Sequence, residues 1–144
     1  MANVKNKTYA DHDILDVIET EEKVTIITVQ RKPEESMCPS CGKMVPQRNM
    51  RYDSKARQYQ DCPIQYDRET VVSALRVEAR CPHCGKRHTV PSALIRPNSR
   101  MTTYEAAWIN FLLQNPYGMT NEEMAAEADV SEKTIRRFKK QQIG

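Results

Sequence analysis

An α+β fold is predicted for this 144-residue chain by three observations. Segments rich in β-branched residues, with period-two alternation, occupy its first two thirds. Two matched cysteine knuckles, Cys38-Pro39-Ser40-Cys41-Gly42-Lys43 and Cys81-Pro82-His83-Cys84-Gly85-Lys86, punctuate those segments. Beyond residue 98 the composition turns helical, with capping signals ahead of each apolar run. The expected architecture is an N-terminal β-hairpin and cysteine-knuckle β-domain over residues 1–97, followed by a three-helix domain over residues 98–144.

The hairpin is expected first. Ile14, Leu15, Val17 and Ile18 lead into Glu19-Thr20-Glu21-Glu22-Lys23, and Val24 to Val29 follows as a second strand. Pro33-Glu34-Glu35-Ser36 ends that strand and delivers the chain to the first knuckle. The 39 residues between Cys41 and Cys81 are long enough to require structure of their own. A short polar strand is expected at Arg57 to Gln60. A longer one is expected from Thr70 to Ala79, with Val71, Leu75 and Val77 on one face and Arg76 and Glu78 on the other, running straight into Cys81. Thr89-Val90 is expected to close the sheet, and the prolines 91 and 97 with Asn98-Ser99 mark a linker near residues 91–101.

Each CxxC sets two thiolates on one tight turn, and the following glycine accepts positive φ while nearby amides face the sulfurs. Two such turns make a tetrahedral site closed by Cys38, Cys41, Cys81 and Cys84. Their shared Pro and Gly-Lys decoration favours structural Zn2+ over a redox pair or disulfides. A domain this small gains folding free energy from its metal, so removal should unfold the ribbon without necessarily unfolding the rest. Four thiolates leave no open coordination position, which argues against a catalytic zinc enzyme. Cys62 reads as a half-buried structural thiol. His83 is expected to point away from a metal already served by four sulfurs, His88 could replace a cysteine only in a distorted ribbon, and His12 has no sequence context.

In the helical part, Thr102 or Thr103 can cap a helix in which Tyr104, Ala107, Trp108, Phe111 and Leu112 recur at helical spacing, with Trp108 and Phe111 assigned to the core. Asn115-Pro116-Tyr117-Gly118 stops it. Thr120 and Glu123 form a capping-box pattern for a second helix, and a third starts at Ser131. From Asn121 to Lys140 the spacing is that of a helix-turn-helix, whose second helix enters the DNA major groove. Ala125 is small where the helices cross, Asp129 tolerates the left-handed turn, and Val130 plugs the turn into a seam made with Met124, Ala128, Ile135 and Phe138. Ser131 would cap the recognition helix, with Glu132, Lys133, Arg136, Arg137 and Lys140 outward. The candidate DNA-binding residues are Ser131, Lys133, Thr134, Arg136, Arg137 and Lys140, with Lys139 suited to phosphate.

The net charge of +3 hides a division. Residues 1–30 carry 3 basic and 6 acidic side chains, residues 31–100 carry 14 and 7, and residues 131–144 carry 5 and 1. The middle segment and the last helix are therefore basic surfaces suited to double-stranded DNA. No stretch approaches the apolar length of a membrane span and Met1 to Thr8 is polar, so a soluble cytoplasmic protein is expected.

The order of hairpin, CPxCG knuckle, the stretch Arg57-Gln58-Tyr59-Gln60-Asp61-Cys62-Pro63-Ile64, a basic strand ending in Arg80-Cys81, the entry Arg100-Met101-Thr102-Thr103, and then a helix-turn-helix resembles the N-terminal region of bacterial insertion-sequence transposases of the ISL-three family. The likeness spans about Ile14 to Gln141. It implies recognition of the terminal inverted repeats of a mobile element, with Cys38, Cys41, Cys81 and Cys84 matching the family's zinc ligands. Those transposases continue into a ribonuclease-H-type catalytic domain whose three carboxylates hold the metal ions. This chain stops at Gly144, consistent with either an excised domain or a free-standing protein that kept the reader, and its scattered acids supply no such site. The expectation is a non-enzymatic DNA-binding protein, monomeric in isolation. The rival is a zinc-dependent protein-protein interaction module, adaptor or inhibitor, in which the acidic Glu105, Glu122, Glu123 and Glu127 matter most.

Overall fold

The computed structural model describes residues 8–63, 67–114 and 118–143. Part of the helix-stop signal at Asn115-Pro116-Tyr117, Ile64 of the family-like stretch, and the polar start through Lys7 lie outside the described residues.

The hairpin forms as expected, with β2 (His12–Glu19) antiparallel to β3 (Lys23–Gln30) and a two-residue β1 (Thr8–Tyr9) on its outer edge. The register shifts between Ile14 and Asp16, so Leu15 is the bulged residue. An extra residue reverses side-chain parity, which lets Ile14 and Val17 both pack on the core while Leu15 and Ile18 face solvent. Parallel to β3 runs β8 (Glu69–Leu75), and β7 (Arg57–Asp61) closes the five-stranded sheet in the order β1-β2-β3-β8-β7. Val24, Ile26, Tyr59, Val72 and Ala74 form its buried face, covered by Leu94 and Ile95.

Between β3 and β7 the chain builds a hairpin of β4 (Glu35–Met37) and β5 (Met44–Pro46), a 3-10 turn at Gln47–Asn49, and β6 (Met50–Tyr52). The expected long strand at 70–79 divides at Arg76. Its second part, β9 (Val77–Arg80), leaves the large sheet and pairs on one side with β6 and on the other with β10 (Arg87–Thr89). Alternation places Arg76 on a solvent face, yet it is 7% exposed. Its guanidinium donates to Gln30 Oε1, Tyr59 Oη and the Val90 carbonyl, and Gln30 Oε1 also accepts from Val77 N. This knot satisfies the polar groups where one strand changes sheets. Val45, Met50, Val77, Ala79 and Val90 pack with Cys38 and Cys81 as a second small core.

Residues 91–101 are a packed connection, not a slack linker. Leu94, Ile95 and Met101 are buried, Ile95 bridges Thr102, and Gln60 bridges Met101. His12 is also buried, its ring nitrogens 2.9 Å from Thr28 Oγ1 and 3.0 Å from Ser92 Oγ.

Three helices follow: α1 (Thr103–Leu113), α2 (Asn121–Ala128) and α3 (Glu132–Ile143). Thr102, not Thr103, caps α1 by accepting from Glu105 N, and Thr120 and Glu123 complete the capping box on α2. Asp129 takes the left-handed conformation at φ 56°. Met124, Ala125, Ala128, Ile135 and Phe138 are buried together with Ala106, Ile109 and Leu112, and Val130 packs against them. The buried face of α1 differs from the expected one. Ala106, Ile109 and Leu112 face inward, whereas Tyr104 and Phe111 are exposed, and Trp108 is partly buried with its ring stacked on Phe111. Glu105 is 0% exposed, which removes it from the acidic surface anticipated for a protein partner.

Candidate metal centre and basic helix face

The two knuckles sit at the tips of two hairpins, one between β4 and β5 and one between β9 and β10. Their backbones match: Gly42 N donates to Cys38 O and Gly85 N to Cys81 O, both at 2.8 Å. Cys38 N donates to Lys43 O and Cys81 N to Lys86 O, both at 2.9 Å. Both glycines hold φ at +76°, the left-handed region that the turn requires. The repeat in sequence is thus a repeat in geometry, and strand pairing between β6, β9 and β10 anchors the second knuckle.

The four sulfurs lie within 4.8 Å of one another, with Cys38 to Cys84 and Cys41 to Cys81 each 3.6 Å apart. Disulfide sulfurs would be bonded at about 2 Å. Thiolates held tetrahedrally at about 2.3 Å from a central ion would be about 3.8 Å apart, so the cage fits a metal. Backbone N–H groups of Cys41 and then Ser40 pull the Cys38 thiol down to about 6. For Cys81, burial works in the opposite direction and is outweighed by N–H groups of Cys84 and His83, leaving it lowered. Cys41 receives the Lys43 N–H, but partial desolvation and its thiol neighbours push it up to about 11. One sulfur of the cage therefore resists ionisation beside others that favour it. A cation at the centre would remove that conflict. These four cysteines can hold a metal ion. Cys38 and Cys81 are buried while Cys41 and Cys84 are exposed, so the site lies at the surface end of its small core.

The other candidates are placed as follows. Cys62 is half-buried and His83 exposed. His88 Nε2 lies 3.3 Å from Ser36 Oγ, and its Nδ1 is buried without a hydrogen-bond partner. On α3, Lys133, Arg136, Arg137, Lys139 and Lys140 are exposed, opposite the buried Ile135 and Phe138. Arg136 lies 3.5 Å from Glu132 one turn earlier. Ser131 Oγ accepts from Thr134 N and lies 3.1 Å from Thr134 Oγ1, so the two hydroxyls are engaged with the start of the helix. Sequence reasoning did not single out Arg96 as a site residue. It lies over the Phe138 ring at 4.8 Å from the centroid and donates to Gln141 Oε1. Its proximity to α3 depends on the fold of residues 94–102, which no local pattern announces.

Comparison with known protein families, curated proteins and solved structures finds no match. No helix among the described residues is long and apolar enough to cross a membrane.

Proposed function

We propose that this chain is a zinc-dependent, sequence-specific double-stranded DNA-binding protein of transposase type, without enzymatic activity, acting in the cytoplasm on a terminal-repeat or operator-like site. In this reading Cys38, Cys41, Cys81 and Cys84 hold Zn2+ in a zinc ribbon. The thiolate set, its spacing and the absence of an open position favour a structural ion. The bound ion would lock the two hairpin tips together, and the protein side of that lock is the pair of N–H-lined knuckle turns.

The observation that carries the reading is α3. One face, Ile135 and Phe138, is consumed by packing, while Lys133, Arg136, Arg137 and Lys140 are exposed on a helix that follows a tight left-handed turn. This is what a helix-turn-helix needs to put a recognition helix into the major groove. Lys133, Arg136 and Arg137 are assigned to base edges or phosphate, Lys140 to phosphate, and Ser131 and Thr134 to the groove-facing start of the helix. Selection of the zinc-loaded protein against a randomised duplex pool, with competitor DNA at near-physiological salt, tests it. Enrichment of one motif supports a sequence reader, and no retention refutes it. Arg136→Ala should cost about 1–3 kcal/mol at the selected site if it reads a base. Equal losses on selected and random DNA would assign it to phosphate.

A second reading, a protein-interaction module, is favoured by one observation. Tyr104 and Phe111 are exposed on α1, at 46% and 59%, with Trp108 stacked beside Phe111. Such a stripe suits a protein partner. Binding that persists at high salt would select this reading, because phosphate contacts weaken steeply with salt.

A further inference from the structure

Arginines in this protein fall into two groups. Arg31, Arg51, Arg57, Arg68, Arg87 and Arg136 each approach a carboxylate within ion-pair distance. Arg48, Arg76, Arg80, Arg96, Arg100 and Arg137 take part in none of the ion pairs found among the described residues. Four of these six, Arg76, Arg96, Arg100 and Arg137, lie at or around a single turn, residues 96–100. Arg96 N donates to Met101 O, Gln60 N donates to Arg100 O, and Asn98 at the tip is left-handed at φ 54°. The turn is therefore a fixed support that holds Arg96 and Arg100 on either side of its apex.

Between this turn and α3 lies a cleft of about 470 Å³, lined by Arg96, Ser99, Arg100, Ser131, Thr134 and Arg137 among others. Asp129 is the one carboxylate among its lining residues, and it is engaged by Gln60 Nε2 at 3.4 Å. On the other side of the turn a second cleft, of about 340 Å³, is lined by Arg57, Arg76 and Arg96 and has no carboxylate in its wall. Arg57 is offset there by Asp53 at 2.9 Å. Like charges crowded around one turn repel, and clefts lined by one sign of charge concentrate counter-ions of the other. Guanidinium forks match the oxygens of phosphate in pairs.

We infer that the 96–100 turn and the adjoining cleft are a docking site for the phosphodiester backbone of duplex DNA, with Arg96 and Arg100 as phosphate contacts beside Arg137 of α3. The site rests on the DNA-binding reading and adds a backbone grip at the seam between sheet and helices. A duplex seated on α3 would reach it without any domain movement, because α3 forms one wall of the cleft. An extended polyanion also accounts for two cationic clefts joined across one turn, which a single small anion would not need.

The test is fluorescence anisotropy with a random-sequence duplex of about two helical turns, titrated between about 50 and 200 mM salt. Arg96→Gln with Arg100→Gln should lower the slope of log affinity against log salt by about 2, and Arg100→Gln alone by about 1. Preference for the selected motif over random DNA should be unchanged in both. Arg100 is exposed and makes no side-chain hydrogen bond among those found, so the single variant remains informative if loss of the Arg96–Phe138 contact loosens the double one. An unchanged slope in a folded, zinc-loaded Arg100→Gln protein overturns the site while leaving a DNA reader in place. No DNA binding by the unaltered protein overturns the reading itself.

Discussion

Replacing Glu105 with glutamine should stabilise this protein, and the gain should grow with pH. Glu105 occupies the first turn of α1, is 0% exposed, and neither carboxylate oxygen has a well-formed hydrogen bond, the nearby Gln60 amide giving its charged form only a small offset. Its neighbour Asp61 is also buried, but accepts from Thr102 Oγ1 at 2.6 Å and from the Tyr9 hydroxyl. Burial first, and then the charges of Asp61 and Asp129, push Glu105 from 4.5 up to about 8. The folded state thus keeps a proton that the unfolded chain has released, and stability is lost as pH rises from about 4.5 through about 8. The penalty at pH 7 is at most about 3 kcal/mol, since each pKa unit is worth about 1.4 kcal/mol. Glutamine carries no such penalty but must bury an amide, so a net gain of about 1–3 kcal/mol is expected. The assay is urea unfolding of both zinc-loaded proteins at several pH values from about 6.5 to 9. Thiolate ionisation contributes equally to both, so the difference between them isolates Glu105. That difference should widen by about 2 kcal/mol across the window. Parallel stability curves would refute the buried-acid reasoning.

Four further outcomes are expected. One equivalent of Zn2+ per chain should be found by elemental analysis, and Cys38→Ser or a strong chelator should collapse protection of the β6-β9-β10 amides in hydrogen exchange; full protection in metal-free protein would remove the structural role. His12, lowered from 6.5 to about 4 first by burial, holds no proton when folded at neutral pH, so its contribution to stability is lost as pH falls from about 6.5 to 4; an NMR titration of its ring should have its midpoint near 4, and one at its ordinary value would show solvent access. Arg76→Met should cost about 2–4 kcal/mol in urea unfolding by removing three buried hydrogen bonds, which leaves Gln30 Oε1 with only Val77 N and the Val90 carbonyl with only Gln30 Nε2 as donors, and Arg76→Lys should not restore it, because one ammonium cannot span three acceptors; full rescue by lysine would show that charge alone matters. Gly85→Ala should cost about 1 kcal/mol in the same assay through its φ of +76°, since no atom lies within 4 Å of the added Cβ; a much larger loss would indicate a clash.

Local signals carried most of what was legible in the sequence. The hairpin of β2 and β3, the matched knuckles, the Thr120–Glu123 capping box and the left-handed Asp129 each depend on a few adjacent residues whose chemistry has one good solution. The parallel pairing of β3 with β8 was not legible, because it joins Lys23 to Glu69 across the intervening strands β4 to β7 and no local pattern records which strands become neighbours. Alternation over 70–79 pointed to Val71 and Leu75 as the apolar face, whereas Val72 and Ala74 enter the sheet core and Leu75 is half-buried, because β8 lies inside the sheet and is covered on both faces over 70–72; nor could it reveal that Arg76 marks a change of sheet and is buried by partners 14 to 46 residues away. Aromatic spacing on α1 misled for a related reason. Tyr104, Trp108 and Phe111 recur like a core stripe, but the smaller Ala106, Ile109 and Leu112 fit the close approach of α2 and α3.

These non-local features connect the cysteine cage to the helices. β8 and β9 are one run of chain, broken only at Arg76, so the second knuckle extends directly from an inner strand of the large sheet. The neighbouring strand β7 presents Asp61 to Thr102, the cap of α1, and the backbone of Gln60 pairs with Arg100 and Thr102 on either side of Met101. Arg96 then reaches α3 through Phe138 and Gln141. Fixed contacts therefore run from the knuckle to the basic helix without a flexible joint among them, and the buried Glu105 sits beside the Asp61–Thr102 contact in that path. A charge forced onto Glu105 would strain the sheet-to-helix seam before it disturbed either core. Loss of the metal acts at the other end, on hairpins whose apolar cluster is small and includes two of the cysteines themselves. The helices should consequently keep their packing when the ion is removed, while the geometry that aligns them with the hairpins is lost.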